Sequence, residues 1–270
     1  MKNKTIFITG ASSGIGQETA KYFAEKGWNV AATMRKLNET DELLKYTNIK
    51  LYTLDVQDEQ SINLALAAAI KDFNGIDVLF NNAGYAVAGA FEALSQEQIQ
   101  HQFATNVFGV MNVTKAILPH FRAKKDGIII NTTSSGGVIT FPLYSVYNST
   151  KWAVEGFMES LQFELKQFNI RVRNIEPATI RSNFEGSISF VSNPDYDNYA
   201  KKVQHNTLAS YKNSPTAATV APVVFRAANS SSNRLRYPVG QAKLAFFMRW
   251  LLPLNVFKNL VAGGVEKEIK

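Results

Sequence analysis

The sequence predicts a single α/β domain, residues 1–270, built around a doubly wound parallel sheet. Apolar strands alternate with helices of about ten to fifteen residues, which is typical of βαβ units with right-handed crossovers. Runs such as Ile128, Ile129 and Ile130 are apolar without alternation, as expected for strands covered on both faces. A length of 270 residues with 46% hydrophobic content suits one large domain, and no internal repeat or linker divides the chain.

The predicted strands are short apolar segments, at residues 5–9, 29–33, 50–54, 77–81, 127–132, 170–175 and 237–239. The predicted helices are the longer segments between them, at residues 15–26, 39–46, 59–73, two around 96–121, and 146–168.

Two segments depart from this alternation. Residues 182–215 carry aromatic side chains among polar residues, without a long regular element. They follow the sixth strand at the edge where ligands bind such sheets, so we predict a substrate loop there. The strongly apolar residues 241–258 are predicted to pack in the core or across a subunit interface. Peripheral contact with a membrane surface is the alternative, which would need a more strongly charged polar face.

Composition excludes several kinds of site and partner. The chain has no cysteine, and its three histidines show no metal-ligand spacing, so we predict no metal site. The net charge of +7 lies in short clusters without aromatic interleaving, which argues against a nucleic-acid partner. No run of eighteen apolar residues predicts a membrane span, and the apolar amino-terminal run is too short for a signal peptide. We predict a cytoplasmic protein.

A glycine-rich turn joins the first strand to the first helix. Glycines there allow a tight turn and let a pyrophosphate approach backbone amides at a helix N-terminus. The spacing is G-x-x-x-G-x-G, which differs from the general dinucleotide fingerprint, and a plain tight turn is the alternative. The predicted cofactor-binding residues are Gly10, Ser12, Ser13, Gly14, Ile15 and Gly16.

The end of the second strand predicts the choice of cofactor. NAD sites place an acidic residue near this point, whereas this chain has Met34 followed by Arg35. A carboxylate would repel a 2′-phosphate, and Arg35 can bind one bidentately, so the sequence favours NADP(H) over NAD(H). A solvated basic turn is the alternative. Asp55 and Val56 follow the third strand and are predicted to meet the adenine, although Asp55 could equally cap the strand end.

Tyr147 and Lys151 are four residues apart on a predicted helix, so they share one face. A nearby ammonium favours the phenolate and would bring the tyrosine pKa closer to neutrality. Tyr22 and Tyr46 also precede a lysine by four residues, but neither has a serine thirteen positions earlier, as Tyr147 has in Ser134. The alternative is a core tyrosine beside a snorkelling lysine.

In order along the chain, residues 9–16, Asp55, residues 81–84, Asn106, Ser134, Tyr147 and Lys151 resemble the short-chain dehydrogenase/reductase family. The resemblance covers residues 4–182 and implies a Rossmann fold. It implies that Tyr147 is the general acid in carbonyl reduction or the base in alcohol oxidation, and that Lys151 holds the nicotinamide ribose. Ser134 would orient the substrate oxygen, and Asn106 would position a water.

The resemblance adds further cofactor residues, and the chain departs from the family pattern at two positions. The residues it adds are Asn82, Ala83, Gly84, Pro177, Ile180 and Ser182. Ala178 stands where the family usually has glycine, so a β-carbon is expected to narrow the nicotinamide site. Many NADP-specific relatives carry a basic residue where this chain has Ser13, so the cofactor preference rests mainly on Arg35.

The segments around Ser134 and Arg35 are similar to 17β-hydroxysteroid and retinol dehydrogenase-like members, which implies an apolar ketone, aldehyde or alcohol as substrate. The resemblance also implies a homodimer or homotetramer. The predicted function is therefore an NADP(H)-dependent carbonyl reductase. Two alternatives stay open, namely an NADP-binding regulatory or scaffold protein without turnover and a peripheral membrane enzyme for lipid-like substrates.

Overall fold

The computed structural model describes residues 3–37, 42–182, 184 and 188–266. Its main sheet has seven parallel strands in the order β3-β2-β1-β4-β6-β7-β9. The strands are β1 (Thr5–Ile8), β2 (Asn29–Met34), β3 (Ile49–Thr53), β4 (Val78–Asn81), β6 (Gly127–Thr132), β7 (Ile170–Pro177) and β9 (Arg236–Val239). The prediction of an α/β fold with a doubly wound parallel sheet is confirmed.

Helices cover both faces of this sheet. They are α1 (Gly14–Glu25), α2 (Glu59–Phe73), α3 (Gln96–Phe103), α4 (Gly109–Lys124), α5 (Ser145–Leu165), α6 (Asp197–Lys212), α7 (Ala221–Asn229), α8 (Ala242–Leu251) and α9 (Leu254–Val265). One core cluster includes residues of α1 and α7, and the other includes residues of α2, α4 and α5. The predicted helix at residues 39–46 is a 3₁₀ helix, Glu42–Lys45, where the structure describes it, and residues 39–41 lie outside the described part.

The first strand, β1, lies near the middle of the sheet. It pairs with β2 on one side and with β4 on the other. Its four residues are fully buried, because helices cover both faces of a parallel sheet. The chain thus reverses its strand order next to β1, and the space at the carboxyl ends of β1 and β4 becomes available to a ligand.

A second, two-stranded sheet was not predicted from the sequence. Strand β5 (Ala86–Gly89) pairs in parallel with β8 (Ile188–Val191). Gly89 permits this close pairing, because a Cβ there would lie 2.6 Å from the carbonyl oxygen of Val191. The small sheet ties the predicted substrate loop to the chain that follows β4.

The expectation that residues 182–215 lack a long regular element is wrong, because α6 occupies their second half. Only Val203 of α6 is buried, so the helix has no apolar stripe to reveal it. It contacts α9 instead, where Tyr199 donates to Glu266 at 2.8 Å and Asn206 donates to the carbonyl of Val265 at 3.0 Å.

The apolar carboxyl segment is also not core. It forms α8 and α9, in which Ala242 and Phe257 are buried while most large apolar side chains are exposed. Packing of the whole segment in the core is therefore wrong, since a pair of short helices flanks the domain instead. Its packing across a subunit interface stays a prediction.

Candidate active site

A cavity of about 860 Å³ lies at the carboxyl ends of the strands, where residues that follow β1, β4, β6 and β7 line it. Nearly all the predicted site residues contribute to its wall. They are Gly10, Ser12, Ser13, Gly14, Ile15, Arg35, Asp55, Val56, Asn82, Ala83, Gly84, Ser134, Tyr147, Lys151, Pro177, Ile180 and Ser182. Two predicted residues, Gly16 and Asn106, are not part of the wall.

The glycine-rich turn has the shape that a dinucleotide requires. Gly10 has a φ of +66°, and a Cβ there would lie 2.8 Å from the Cα of Ala83. A Cβ at Gly16 would collide with the carbonyl oxygen of Gly10. Ser13 precedes the first residue of α1 and makes no side-chain bond to its amides, so the helix N-terminus is open to an anion. The turn therefore fits a pyrophosphate.

Asn82 fixes this turn against the neighbouring strands. Its Nδ2 donates to the carbonyl oxygens of Gly10 at 3.0 Å and Thr9 at 3.2 Å, and its Oδ1 accepts from Thr132 at 3.0 Å. The hydroxyl of Thr9 accepts from the backbone amides of Asn82 at 2.9 Å and Ala83 at 3.1 Å. Thr9 and Thr132 were not predicted as site residues, and only their position at strand ends could have indicated them.

Arg35 and Asp55 lie at the cofactor end of the cavity. Arg35 directly follows β2 and its side chain is exposed at the wall. One carboxylate oxygen of Asp55 accepts from the backbone amide of Gln57 at 2.9 Å. Asp55 thus caps the end of β3 while it also lines the cavity, so a structural role at the strand end and a position beside the adenine are compatible.

The structure brings Tyr147, Ser134 and Lys151 together at the other end. Ser134 and Tyr147 are neighbours, because a Cβ on Gly136 would lie 3.4 Å from the hydroxyl oxygen of Ser134 and 3.5 Å from the ring of Tyr147. Lys151, one turn further along α5, donates to the carbonyl oxygen of Thr132 at 2.9 Å, and its Nζ lies 5.7 Å from the centroid of the Tyr147 ring. A phenol, an amine and a hydroxyl from two separate segments therefore face one space.

Burial sets the protonation of both titratable groups. Desolvation raises the pKa of Tyr147 to about 12, and the neighbouring hydroxyl of Ser134 offsets part of this rise. Desolvation lowers the pKa of Lys151 to about 8, while the charge of Glu155 raises it. The pKa of Tyr147 thus moves away from neutrality, because loss of solvent disfavours the phenolate and the ammonium of Lys151 does not outweigh it. The lowering of this pKa predicted from Lys151 together with a bound oxidised nicotinamide stays a prediction.

Asn106 lies in a π-helical turn, Ala104–Phe108, between α3 and α4. Its Oδ1 accepts from the amide of Tyr85 at 3.1 Å, and its Nδ2 donates to the carbonyl of Tyr85 at 2.9 Å and to Thr150 at 3.2 Å. A Cβ on Gly84 would lie 3.1 Å from this Oδ1 and 3.9 Å from the amine of Lys151. Asn106 therefore joins the chain after β4 to α5, directly behind the cavity wall.

The far end of the cavity is aromatic. The ring of Tyr144 lies 6.2 Å from that of Tyr147 and 6.1 Å from that of Phe190, and Phe184 lies 6.2 Å from Tyr147. The remaining walls come from α6, α8 and α9, and α6 also contributes polar side chains. Those residues are Val203, Asn206, Thr207, Ser210, Tyr211, Gln241, Ala242, Ala245, Gly264 and Val265. The residues from Val203 to Tyr211 fall within the predicted substrate loop, residues 182–215, although the sequence did not single out the individual positions that line the cavity.

Ala178, the departure from the family pattern, also lines the cavity. Its amide donates to the carbonyl of Val239 at 3.1 Å, so β9 holds this stretch of backbone. Its Cβ would be 3.9 Å from a Cβ on Gly240, which is ordinary contact.

A buried charge cluster lies next to the site. Glu155 of α5 and Glu176 of β7 are 3% and 0% exposed, and Arg236 lies 3.4 Å from the first carboxylate and 3.2 Å from the second. Glu155 Oε1 and Glu176 Oε2 have no hydrogen-bond partner among the described residues. Burial, and then the charge of Glu155, raise the pKa of Glu176 to about 8. One proton shared between the two carboxyl groups would satisfy both oxygens.

Within the part of the chain that the structure describes, no three His, Asp or Glu side chains cluster as metal ligands would. None of the described helices has the length and apolar character needed to cross a bilayer.

Comparison with known proteins places these features in context. Residues 4–190 match the sequence model of the short chain dehydrogenase family. The Bacillus subtilis oxidoreductase YusZ is 36% identical, over 97% of this chain and 98% of that protein. The 3-ketodihydrosphingosine reductase of Bacteroides thetaiotaomicron is 38% identical, over 68% of this chain and 66% of the relative.

Solved structures agree with this result. A short-chain dehydrogenase from Streptomyces avermitilis superposes with a TM-score of 0.84 at 30% identity, covering 97% of this chain and 96% of that chain. Other structures of this fold hold NADP in ElxO and NAD in a protein from Burkholderia phymatum, with TM-scores of 0.76 and 0.80. Proteins of this fold thus bind either nicotinamide dinucleotide.

Proposed function

This chain belongs to the short chain dehydrogenase family, and from that premise we propose that it is an NADP(H)-dependent oxidoreductase interconverting an apolar carbonyl compound and its alcohol. The observation that carries the proposal is the convergence of Tyr147, Ser134 and Lys151 on one cavity that also contains the glycine-rich turn. When bound, the cofactor supplies or accepts the hydride.

The chain's own residues supply the proton and the orientation. Because the pKa of Tyr147 is raised to about 12, the phenol is protonated at neutral pH and is ready to donate to a carbonyl oxygen. Ser134 adjoins the Tyr147 ring and lines the same cavity, so its hydroxyl would hold that same oxygen. Lys151 is fixed by the carbonyl of Thr132 and would bind the ribose hydroxyls of the cofactor. These roles favour carbonyl reduction.

The cofactor preference and the substrate class rest on opposite ends of the cavity. Arg35 at the wall, with no acidic residue at the end of β2, supports NADP(H) over NAD(H). Tyr144, Phe184 and Phe190 beside Tyr147 support an apolar substrate. The relative named as 3-ketodihydrosphingosine reductase is consistent with a ketone.

We extend the proposal to a homo-oligomer. Trp152 and Phe163 are 47% and 74% exposed, and their spacing of eleven residues, three helical turns, places them on one face of α5. A Cβ on Gly156, between them, would meet nothing within 4 Å. A second copy of this chain would cover this face.

The Tyr147→Phe variant tests the catalytic proposal. It removes the proton donor while it keeps the ring, so NADPH consumption with a panel of apolar ketones should fall by about 10²–10⁴-fold. Cofactor affinity, measured by fluorescence titration, should stay within about twofold of wild type. The substitution removes an interaction made in the transition state, and it does not remove one that binds the ground state and the transition state equally.

Tyr144→Phe is the matched control, since Tyr144 lines the same cavity 6.2 Å from the Tyr147 ring. Full activity of the Tyr147 variant, or an equal loss in the Tyr144 variant, would overturn the assignment. Cofactor binding by wild type without turnover on any ketone would instead favour a regulatory protein.

A further inference from the structure

The exposed apolar side chains of α8 and α9 form one surface, which we call the tail face. It consists of Leu244, Phe247, Trp250, Leu251, Leu254, Val256 and Leu260, which are 47–80% exposed. Among the described residues, nine other large apolar side chains are exposed, at 38–74%, but they are scattered from Leu37 to Leu208. Scattered exposure is normal, whereas a concentration of seven such residues within seventeen positions marks an interaction site.

The side chains of the tail face adjoin one another. Leu244, Phe247 and Leu251 repeat at helical spacing along α8, and the rings of Phe247 and Trp250 lie 6.3 Å apart. Trp250, the most exposed of them at 80%, stands near the end of α8 where the chain turns into α9. Aromatic and aliphatic groups are therefore exposed together along α8 and at its end.

The charge around this face has a single sign. Residues 241–265 contain Lys243, Arg249 and Lys258 and no aspartate or glutamate. Lys243 and Lys258 are exposed, and Arg249 lies 6.0 Å from the ring of Phe257. The chain as a whole carries a net charge of +7. Tryptophan, phenylalanine and leucine flanked by lysine and arginine are typical of helices that lie on anionic membranes.

We infer that the tail face docks on the surface of an anionic phospholipid membrane. With ten and twelve residues, α8 and α9 are too short to span a bilayer, so they would lie in its interface. A second copy of this chain is a poorer occupant, because a two-fold pair would bring the same cations of each copy together.

The position of α8 and α9 beside the cavity connects membrane docking with the entry of substrate. The same α8 and α9 contribute Ala242, Ala245 and Val265 to the cavity wall. Docking would therefore bring the cavity close to the lipid phase, from which a long apolar substrate could enter. This role rests on the proposed function, whereas the docking itself does not.

Vesicle sedimentation of the full-length protein tests the inference, without cofactor or substrate. At low salt, binding to vesicles of phosphatidylcholine with one third phosphatidylglycerol should be at least about tenfold stronger than to pure phosphatidylcholine vesicles. The double variants Phe247→Ser/Trp250→Ser and Lys243→Glu/Lys258→Glu should each lose about tenfold or more. These side chains are exposed, and circular dichroism confirms that each variant is folded.

Phe163→Ser is the control, because Phe163 is as exposed as Trp250 but lies on α5. It should bind vesicles like wild type. Wild type that stays in solution with anionic vesicles, or an equal loss in the control, overturns the docking. A change of mass in light scattering for the Phe247/Trp250 variant, with vesicle binding unchanged, assigns the tail face to a second copy instead. Failure of turnover would leave all these readouts intact.

Discussion

Arg35 is the residue on which the proposed preference for NADP(H) mainly rests. It follows β2, lines the cavity and is exposed, whereas the adjacent Lys36 is exposed but does not line the cavity. Arg35→Asp should reduce the preference for NADPH over NADH by roughly 10–100-fold, because it replaces a charged hydrogen-bond donor by a repelling carboxylate. The ratio of kcat/KM for the two cofactors measures the effect.

Lys36→Asp is the matched control and should change that ratio much less. An unchanged ratio in the Arg35 variant, or a larger change in the Lys36 variant, would show that another residue reads the 2′-phosphate.

At the residue scale, the sequence predicted which side chains meet but not their titration. The spacing of Ser134, Tyr147 and Lys151 indicated one site, and they line one cavity. The pKa direction of Tyr147 depends on desolvation by side chains from distant segments, such as Phe184. No pattern along the chain indicates how deeply Tyr147 is buried, so the sequence could indicate only that an ammonium group lies nearby.

At the scale of elements, the π-helical turn at Ala104–Phe108 joins two parts of the site. Asn106→Ala would leave the partly buried amide of Tyr85 without its side-chain acceptor, and the carbonyl of Tyr85 would keep only the Gln102 donor, at 3.2 Å. We expect a loss of about 2–3 kcal/mol in the free energy of unfolding, since stranded polar groups keep their desolvation cost. Urea unfolding followed by circular dichroism measures it.

Asn112→Ala on α4 provides the comparison, because Asn112 makes one long bond, 3.4 Å to the carbonyl of Val56. Its loss should stay below about 1 kcal/mol. If both variants lose equally, Asn106 does not act as a bridge.

Elements with an apolar stripe were predictable, and elements without one were not. The strands of the main sheet were predicted to within two residues at each end. Helix α6 buries only Val203 and so lacks the periodicity that reveals a helix. Strands β5 and β8 are four residues each and pair across about a hundred positions, which no local signal encodes.

For the whole molecule, the raised pKa of the buried Glu176 carboxyl links stability to pH. The folded-state pKa of Glu176 is raised to about 8, above its ordinary value of 4.5. Its contribution is therefore complete below pH 4.5 and is lost as the pH rises to about 8. Glu176→Gln carries a neutral donor at every pH, so it should exceed wild type in the free energy of unfolding by on the order of a few kcal/mol at pH 8.5.

The same variant should match wild type near pH 4.5, where both carry a neutral group at position 176. Glu159→Gln is the control, because Glu159 contacts the same Arg236 from an exposed position and should change stability by less than about 1 kcal/mol at either pH. Denaturant unfolding at the two pH values decides. A difference between Glu176→Gln and wild type that does not change with pH would contradict the raised pKa of Glu176.

The central position of β1 also has a consequence for folding during translation. Residues 5–8 leave the ribosome first, yet their neighbour β4 is complete only at residue 81. At roughly 5–20 residues per second, this interval lasts about 4–15 s. During translation the most deeply buried strand therefore waits unpaired on one edge, in a nascent chain that a holdase could protect.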